Sequence, residues 1–314
     1  MRNKFADVIY RVGKKNKKIC AIVADISPAG SIEKFRNEFP ERFINCGVAE
    51  QSMIGIAAGM AMSGFRPFCY TIATFALYRP FEMIRVDLAY QNLPVTVVGM
   101  GAGLIYSTLG STHQSFEDIS ISCSIPNMQV LAPCDPLEME AATMWCATKN
   151  KGPVYMRLGK AGEPIITENA KEKFLFGKVR YLKKSKCNKL AIISYGTIMS
   201  MVFEIAENLK KYKINVSIIS CHTLKPLDKK GIAKILKRYE NVLIIEENIF
   251  LGSLSSIIKN INSDLKFKNS NIINFNCKDK FFHYYGSYKG LLSKHGISKN
   301  KIIKKILSLK SLYK

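Results

Sequence analysis

Along the first half of the chain, short apolar runs rich in β-branched residues alternate with stretches whose apolar positions recur at helical spacing. The pattern predicts strands at Ile19 to Ala24, Phe43 to Cys46, Pro67 to Thr71, Val95 to Gly99, Met128 to Ala132 and Val154 to Arg157. Helices are expected near Lys4 to Lys14, Glu33 to Glu38, Glu50 to Met62, Pro80 to Tyr90 and Pro136 to Ala147. Such alternation marks a mostly parallel sheet covered on both faces, with ligands beyond the carboxyl ends of the strands. From Ala161 to Lys189 the period dissolves into Gly, Pro, Glu and Lys, a predicted linker. The alternation then resumes, with strands at Leu190 to Tyr195, Val216 to Cys221, Val242 to Glu246 and Ile272 to Asn276. Helices are expected at Met199 to Tyr212, Lys229 to Tyr239, Gly252 to Asn260 and, amphipathic and basic, Lys299 to Leu312. The expected fold is α/β: two doubly wound, mostly parallel-sheet domains at 1–165 and 189–314, joined by a linker at 166–188.

Composition narrows the class. With 314 residues, 47% of them apolar, the chain can bury two cores. No apolar run reaches the roughly 18 residues of a membrane span. The start MRNKFADVIYRVGKK lacks the apolar core of a signal peptide, so a cytoplasmic location is expected. Nine scattered Cys, without a CxxC pair or a Cys/His cluster of zinc spacing, read as reduced, buried, small hydrophobes. The net charge of +23 is uneven: residues 1–150 hold 14 Lys/Arg against 13 Asp/Glu, and the remainder 33 against 11. No aromatic-interleaved RNA-binding signature accompanies the excess. It reads as a solvated Lys-rich face, the alternative being a docking surface for an acidic partner.

Chemistry concentrates in three blocks. In Phe43 to Gly64, FINCGVAEQSMIGIAAGMAMSG, a strand and a glycine turn lead into a helix that opens on Glu50, among the apolar Val48, Met53, Ile54 and Ile56. Burial would push such a carboxyl toward its neutral, hydrogen-bond-donating form, whereas a first-turn Glu also simply suits the helix dipole. The second block is Thr74 to Arg85 (TFALYRPFEMIR), with Phe75 and Tyr78 three apart, and the third is Thr112 to Asp118 (THQSFED), with His113. By themselves the aromatics read equally as core residues, and the His as a loop hydrogen-bonder.

In order and spacing, across residues 17 to 160, these blocks resemble the pyrimidine-binding domain of the transketolase family, and residues from Leu190 onward resemble its C-terminal domain. The resemblance implies thiamine diphosphate as cofactor, with Glu50 of GVAEQ as the acid that hydrogen-bonds its pyrimidine N1′, and Phe75 and Tyr78 as aromatic pyrimidine contacts. It implies that His113 contacts the donor sugar and passes protons, which an imidazole near neutrality can do. It further implies that Arg157 of GPVYMRLGK holds a substrate phosphate, with Lys160 nearby and Ser27 facing the same group; an ion-paired strand-end Arg is the alternative.

Four departures stand out. Ile72 replaces a further aromatic. Leu109 stands four before His113, where sugar-using relatives commonly carry an acid that reads a donor hydroxyl, so a modified or deoxygenated donor is expected. Asn248 in EENIFLGSL takes a His-like place, and no chemistry is assigned to that turn. The GDG run that begins the family's diphosphate and Mg2+ site occurs nowhere. The chain therefore resembles the C-terminal subunit of a split transketolase, whose partner supplies the diphosphate-binding domain and the Mg2+ ligands, with an α2β2 assembly expected. Decarboxylating relatives (deoxyxylulose-phosphate synthases, β subunits of 2-oxo-acid dehydrogenases) and a non-catalytic basic α/β module are the rival readings.

Overall fold

A computed structural model describes residues 1–26, 31–265 and 270–312. The chain opens with α1 (Arg2–Lys15), β1 (Ile19–Val23), α2 (Ser31–Glu38), β2 (Phe43–Asn45), α3 (Glu50–Met62) and β3 (Arg66–Ile72). Then come α4 (Ala73–Leu77), α5 (Phe81–Met83) running into π-helical turns at Ile84–Tyr90, β4 (Thr96–Met100), a 3-10 turn at Ser111–His113, and α6 (Asp118–Ser124). β5 (Gln129–Leu131), α7 (Pro136–Thr148) and β6 (Val154–Leu158) follow. Beyond them lie β7 (Arg180–Lys183), β8 (Leu190–Ser194), α8 (Met199–Lys210), β9 (Ser217–Ser220) and β10 (Thr223–Lys225). The chain closes with α9 (Lys229–Arg238), β11 (Asn241–Ile249), α10 (Leu254–Asp264), β12 (Asn271–Cys277), α11 (Tyr288–Lys294), α12 (Lys299–Leu307) and a 3-10 turn at Lys310–Leu312.

Two sheets result, with orders β10-β5-β6-β4-β3-β1-β2 and β12-β11-β8-β9-β7. All pairings are parallel except β10 with β5 and β7 with β9. The strands β1, β4, β6 and β8 are buried at every residue, as a sheet covered on both faces demands. Phe5, Ile9 and Phe35 pack one face of the first sheet with Met139 and Ala142. Met53, Ile54, Leu77 and Ile84 pack the other, in a core that runs on without a break into Ile193, Ile219 and Ile244 of the second sheet.

The strand and helix expectations are largely met, with instructive exceptions. β7 falls inside the predicted linker and β10 inside the predicted second domain, yet β10 pairs with β5 and completes the first sheet. Lys225 fixes this edge by donating from Nζ to the carbonyls of Cys123 and Ile125 at 2.9 and 2.5 Å. The helix expected over Pro80 to Tyr90 is present from Phe81, with Pro80 as its N-cap, but its turns widen to π-helical from Ile84 on. The widened turns keep Ile84, Leu88 and Ala89 buried. The tail helix stops at Leu307, five residues short of the expected end.

The second domain contributes a buried imidazole. His295 is 2% exposed and lies between the rings of Phe116 and Phe282, at centroid distances of 5.2 and 4.8 Å. Its Nδ1 accepts from the Lys278 backbone N–H at 3.1 Å, which fixes the neutral tautomer and leaves no room for a proton there. Burial accordingly lowers its pKa from an ordinary 6.5 to about 4. A depressed folded value means stability that is complete above the unfolded value and lost as acid takes the pH down through the folded one. We expect up to about 3 kcal/mol to disappear between pH 6.5 and 4 from this group. Thermal melts of His295→Phe should show a shallower decline across that window than the parent, and an unchanged slope would contradict the assignment.

Candidate active site

The site is built where β2, β3 and β4 end. Asn45, the last residue of β2, accepts through Oδ1 from the N–H groups of Asp25 and Gly47, at 3.2 and 3.0 Å, tying the end of β1 to the turn before α3. Gly47 takes a φ of +65°, a left-handed conformation that glycine adopts at little cost. The turn delivers Glu50 as the first residue of α3, 4% exposed. Its surroundings are less uniformly apolar than the sequence suggests. Met53 and Ile54 are fully buried, but Val48 is 70% and Ile56 38% exposed. α3 is apolar around its whole circumference, and one side of it, with Ser52, Ile56, Gly59 and Met62, faces outward.

At the end of β3 the short α4 presents Phe75, half-buried, and the following turn presents Arg79. Arg79 Nη1 donates to both Glu50 carboxylate oxygens at 3.0 Å, while its guanidinium carbon sits 4.3 Å from the Phe75 ring centroid. On the other side the Phe75 ring meets the His113 imidazole edge-on, at 5.2 Å and 72°. Tyr106 adds a second edge contact with His113 at 6.1 Å. His113 Nδ1 lies 2.9 Å from Thr112 Oγ1, and partial burial lowers the imidazole pKa from 6.5. Glu50, Phe75 and His113, far apart in sequence, thus form one row, with Arg79 bridging the first two.

The remaining candidates lie apart from that row. Tyr78 turns inward: its hydroxyl is buried beside Glu117, and burial pushes its pKa well up. Arg157 is buried rather than open to a phosphate, though its Nη1 has no hydrogen-bond partner. It is 6% exposed, with Nε 3.5 Å from Asp118 Oδ2 and Nη2 donating to the Glu247 carbonyl at 3.0 Å. The ion-paired alternative describes the Asp118 contact, while the second domain holds Nη2 through a backbone carbonyl. Lys160 is exposed, its Nζ 5.3 Å from the Tyr106 ring centroid. Ser27 lies outside the described residues. Leu109 is 46% exposed on the loop leading to His113.

Sequence reasoning misses Arg79 and Glu247. Arg79 follows Tyr78 directly, but only the fold shows that one helical turn aims it back at Glu50. Among the described residues no three His, Cys, Asp or Glu side chains converge as a metal site. The thiols are no better candidates for chemistry, since burial raises Cys20 to about 12 and keeps Cys69 well above its ordinary value.

The row fits the pyrimidine ring of thiamine diphosphate. That group needs a carboxyl at its ring nitrogen and an aromatic wall, and Glu50 and Phe75 stand side by side, both now in contact with the Arg79 guanidinium. The chain as a whole is similar to known proteins. The transketolase pyrimidine-binding domain family matches residues 1–162 and the transketolase C-terminal domain family residues 177–302. The chain is 29% identical over 305 residues to one of the subunits of the apulose-4-phosphate transketolase of Phocaeicola vulgatus, covering 95% of each. It is 30% identical over 305 residues to the 1-deoxy-D-xylulose-5-phosphate synthase of Clostridium tetani, covering 97% of this chain but 48% of that enzyme, about half its length. A solved split-gene transketolase, described as an inactive β4 tetramer, superposes with a TM-score of 0.87 at 29% identity, covering 100% and 99% of the two chains. The chain belongs to the transketolase family, a thiamine-dependent family, and has the two-domain make-up of the C-terminal subunit of a split member.

Proposed function

We propose that this subunit, paired with a second chain, transfers a two-carbon ketol unit between phosphorylated sugars. The observation that carries the reading is the row Glu50, Arg79, Phe75, His113, which holds half of a coenzyme site beside the outward-facing side of α3. The partner would supply the diphosphate-binding domain and the Mg2+ ligands, in an α2β2 assembly and in the cytoplasm. Thiamine diphosphate, when bound, supplies a nucleophilic carbon. Glu50 holds a proton toward the pyrimidine nitrogen, which requires Arg79 to release at least one oxygen, since both now accept from it. Phe75 fixes the ring plane and excludes water. His113, kept neutral more readily by its burial, takes or returns a proton at the sugar oxygen. Arg157 is left out of the substrate contacts because it is buried, with Nε on Asp118 and Nη2 on the Glu247 carbonyl.

The test is reconstitution with the chain encoded by the neighbouring reading frame. Cofactor binding by calorimetry and ketol transfer from a ketose phosphate to an aldose acceptor should require both subunits. Tight binding and turnover by this chain alone, or decarboxylation of pyruvate by the pair without transfer, would refute the proposal. Leu109 cannot accept a hydrogen bond from a donor hydroxyl. Leu109→Asp should therefore raise kcat/KM for an unmodified ketose phosphate by about tenfold, the worth of one charged hydrogen bond. No gain in competing-donor assays would place the donor elsewhere.

A further inference from the structure

We propose that Glu247, in the C-terminal domain, is a positioning residue that fixes the loop carrying His113. The proposal rests on the reading of His113 above and assigns work to the EEN end of β11 that no motif explains. β11 delivers Glu247 at the domain junction, 2% exposed. Its Oε2 accepts from the Leu104 backbone N–H at 3.1 Å, and its own carbonyl accepts from Arg157 Nη2 at 3.0 Å. Its Oε1 accepts from the Tyr288 hydroxyl, and Thr197 Oγ1 lies 3.5 Å away. Gly103 takes a φ of +74°, and a Cβ there would collide with the Glu247 carboxylate and the Arg157 guanidinium. The loop is thus packed against this carboxylate at its root.

Further along, the same domain grips the loop again. Ser107 Oγ donates to the Gly286 carbonyl at 2.7 Å, and the Gly286 N–H returns to the Ser107 carbonyl at 3.4 Å. Ser111 Oγ donates to the Phe282 carbonyl at 3.4 Å, two residues before His113. Beyond His113, Ile249 donates its N–H to the Phe116 carbonyl at 2.8 Å. The first domain's own backbone holds the loop at its ends, through the Gly103–Ser115 bridge and the Ala102 N–H donated to the Leu158 carbonyl at 3.1 Å. A loop tied at 104, 107, 111 and 116 to another domain takes its shape from that domain. Catalytic groups lose much of their effect when misplaced by about an ångström, so the anchoring bears on rate without touching substrate.

The experiment is amide hydrogen exchange on the full chain, followed by kinetics of the reconstituted pair. In Glu247→Gln, peptides covering Gly101 to Gln114 should exchange at least tenfold faster, while kcat falls 10- to 100-fold with donor KM nearly unchanged. Ser107→Ala, which removes a tether without disturbing buried charge, should move both quantities in the same direction to a smaller extent. Glu204→Ala, breaking an exposed ion pair with Lys299 in the same domain, should leave the loop alone. Unchanged exchange of the loop in both Glu247→Gln and Ser107→Ala overturns the proposal. Faster exchange with an unchanged kcat upholds the positioning and overturns instead the role given to His113.

Discussion

Glu50→Gln should lower turnover of the reconstituted enzyme by about 10²- to 10⁴-fold, the range spanned by a single positioned proton donor, while leaving the fold and its melting temperature nearly unchanged. Gln matches Glu in shape, and its amide oxygen still accepts from Arg79 Nη1, so the contact that now holds the side chain survives in part. What disappears is an acidic proton, and an amide cannot deliver one to a heteroaromatic nitrogen. The clean measurement separates binding from chemistry. Cofactor affinity by calorimetry should weaken modestly, whereas exchange of the thiazolium proton, followed by NMR, should collapse in parallel with kcat. A variant retaining more than a tenth of parental turnover would remove Glu50 from the acid's role.

The second large effect is on stability. Asp118→Ala should destabilise the chain by about 3–5 kcal/mol, as loss of one member of a buried ion pair does. Asp118 is fully buried, and its Oδ2 serves two partners, the Tyr155 hydroxyl at 2.8 Å and Arg157 Nε at 3.5 Å. Burial pushes the Asp118 carboxyl up in pKa and Arg157 opposes that push, so the carboxylate exists for the sake of its cation. Removing it leaves a guanidinium and a phenol in a core that water does not reach. Urea unfolding should show the loss as a lower midpoint with an unchanged slope. Asp118→Asn keeps an acceptor for Tyr155 and should cost less. A loss below about 1 kcal/mol for the Ala variant would mean that Glu247 alone suffices to hold Arg157.

What the sequence discloses follows from which forces are local. β1, β4 and β8 are nearly continuous apolar runs because both their faces are covered, as is β6 apart from Arg157, and their pattern alone locates them. Glu50 and His113 sit in distinctive blocks and are legible for that reason. β7 and β10 are not, since Arg180 to Lys183 and Thr223 to Lys225 are three or four mostly polar residues held by an antiparallel partner rather than by their own periodicity. α6 and α11, seven residues each, escape for the same reason of length. Arg79 and Glu247 elude sequence reasoning because their meaning lies wholly in tertiary placement. An Arg after an aromatic, or one of two adjacent glutamates on a strand, announces nothing until the fold shows what it grips. Arg157 is legible only in part: a motif position suggests an open hand, and only the fold shows Asp118 and the Glu247 carbonyl holding it from one side, with Nη1 left unpartnered.

The strand β10 has a consequence for how this polypeptide can be divided. A gene fragment cut in the lysine-rich stretch after residue 165 would seem to release a self-sufficient front half. It would in fact strip β5 of its outer neighbour and leave the cation that caps that border behind, baring a ladder of unpaired amides of the kind that invites fibrous association. A seam after Lys225 would be no better, since it parts β8 from β11 in the second sheet, and the two lobes are best regarded as a single heritable unit.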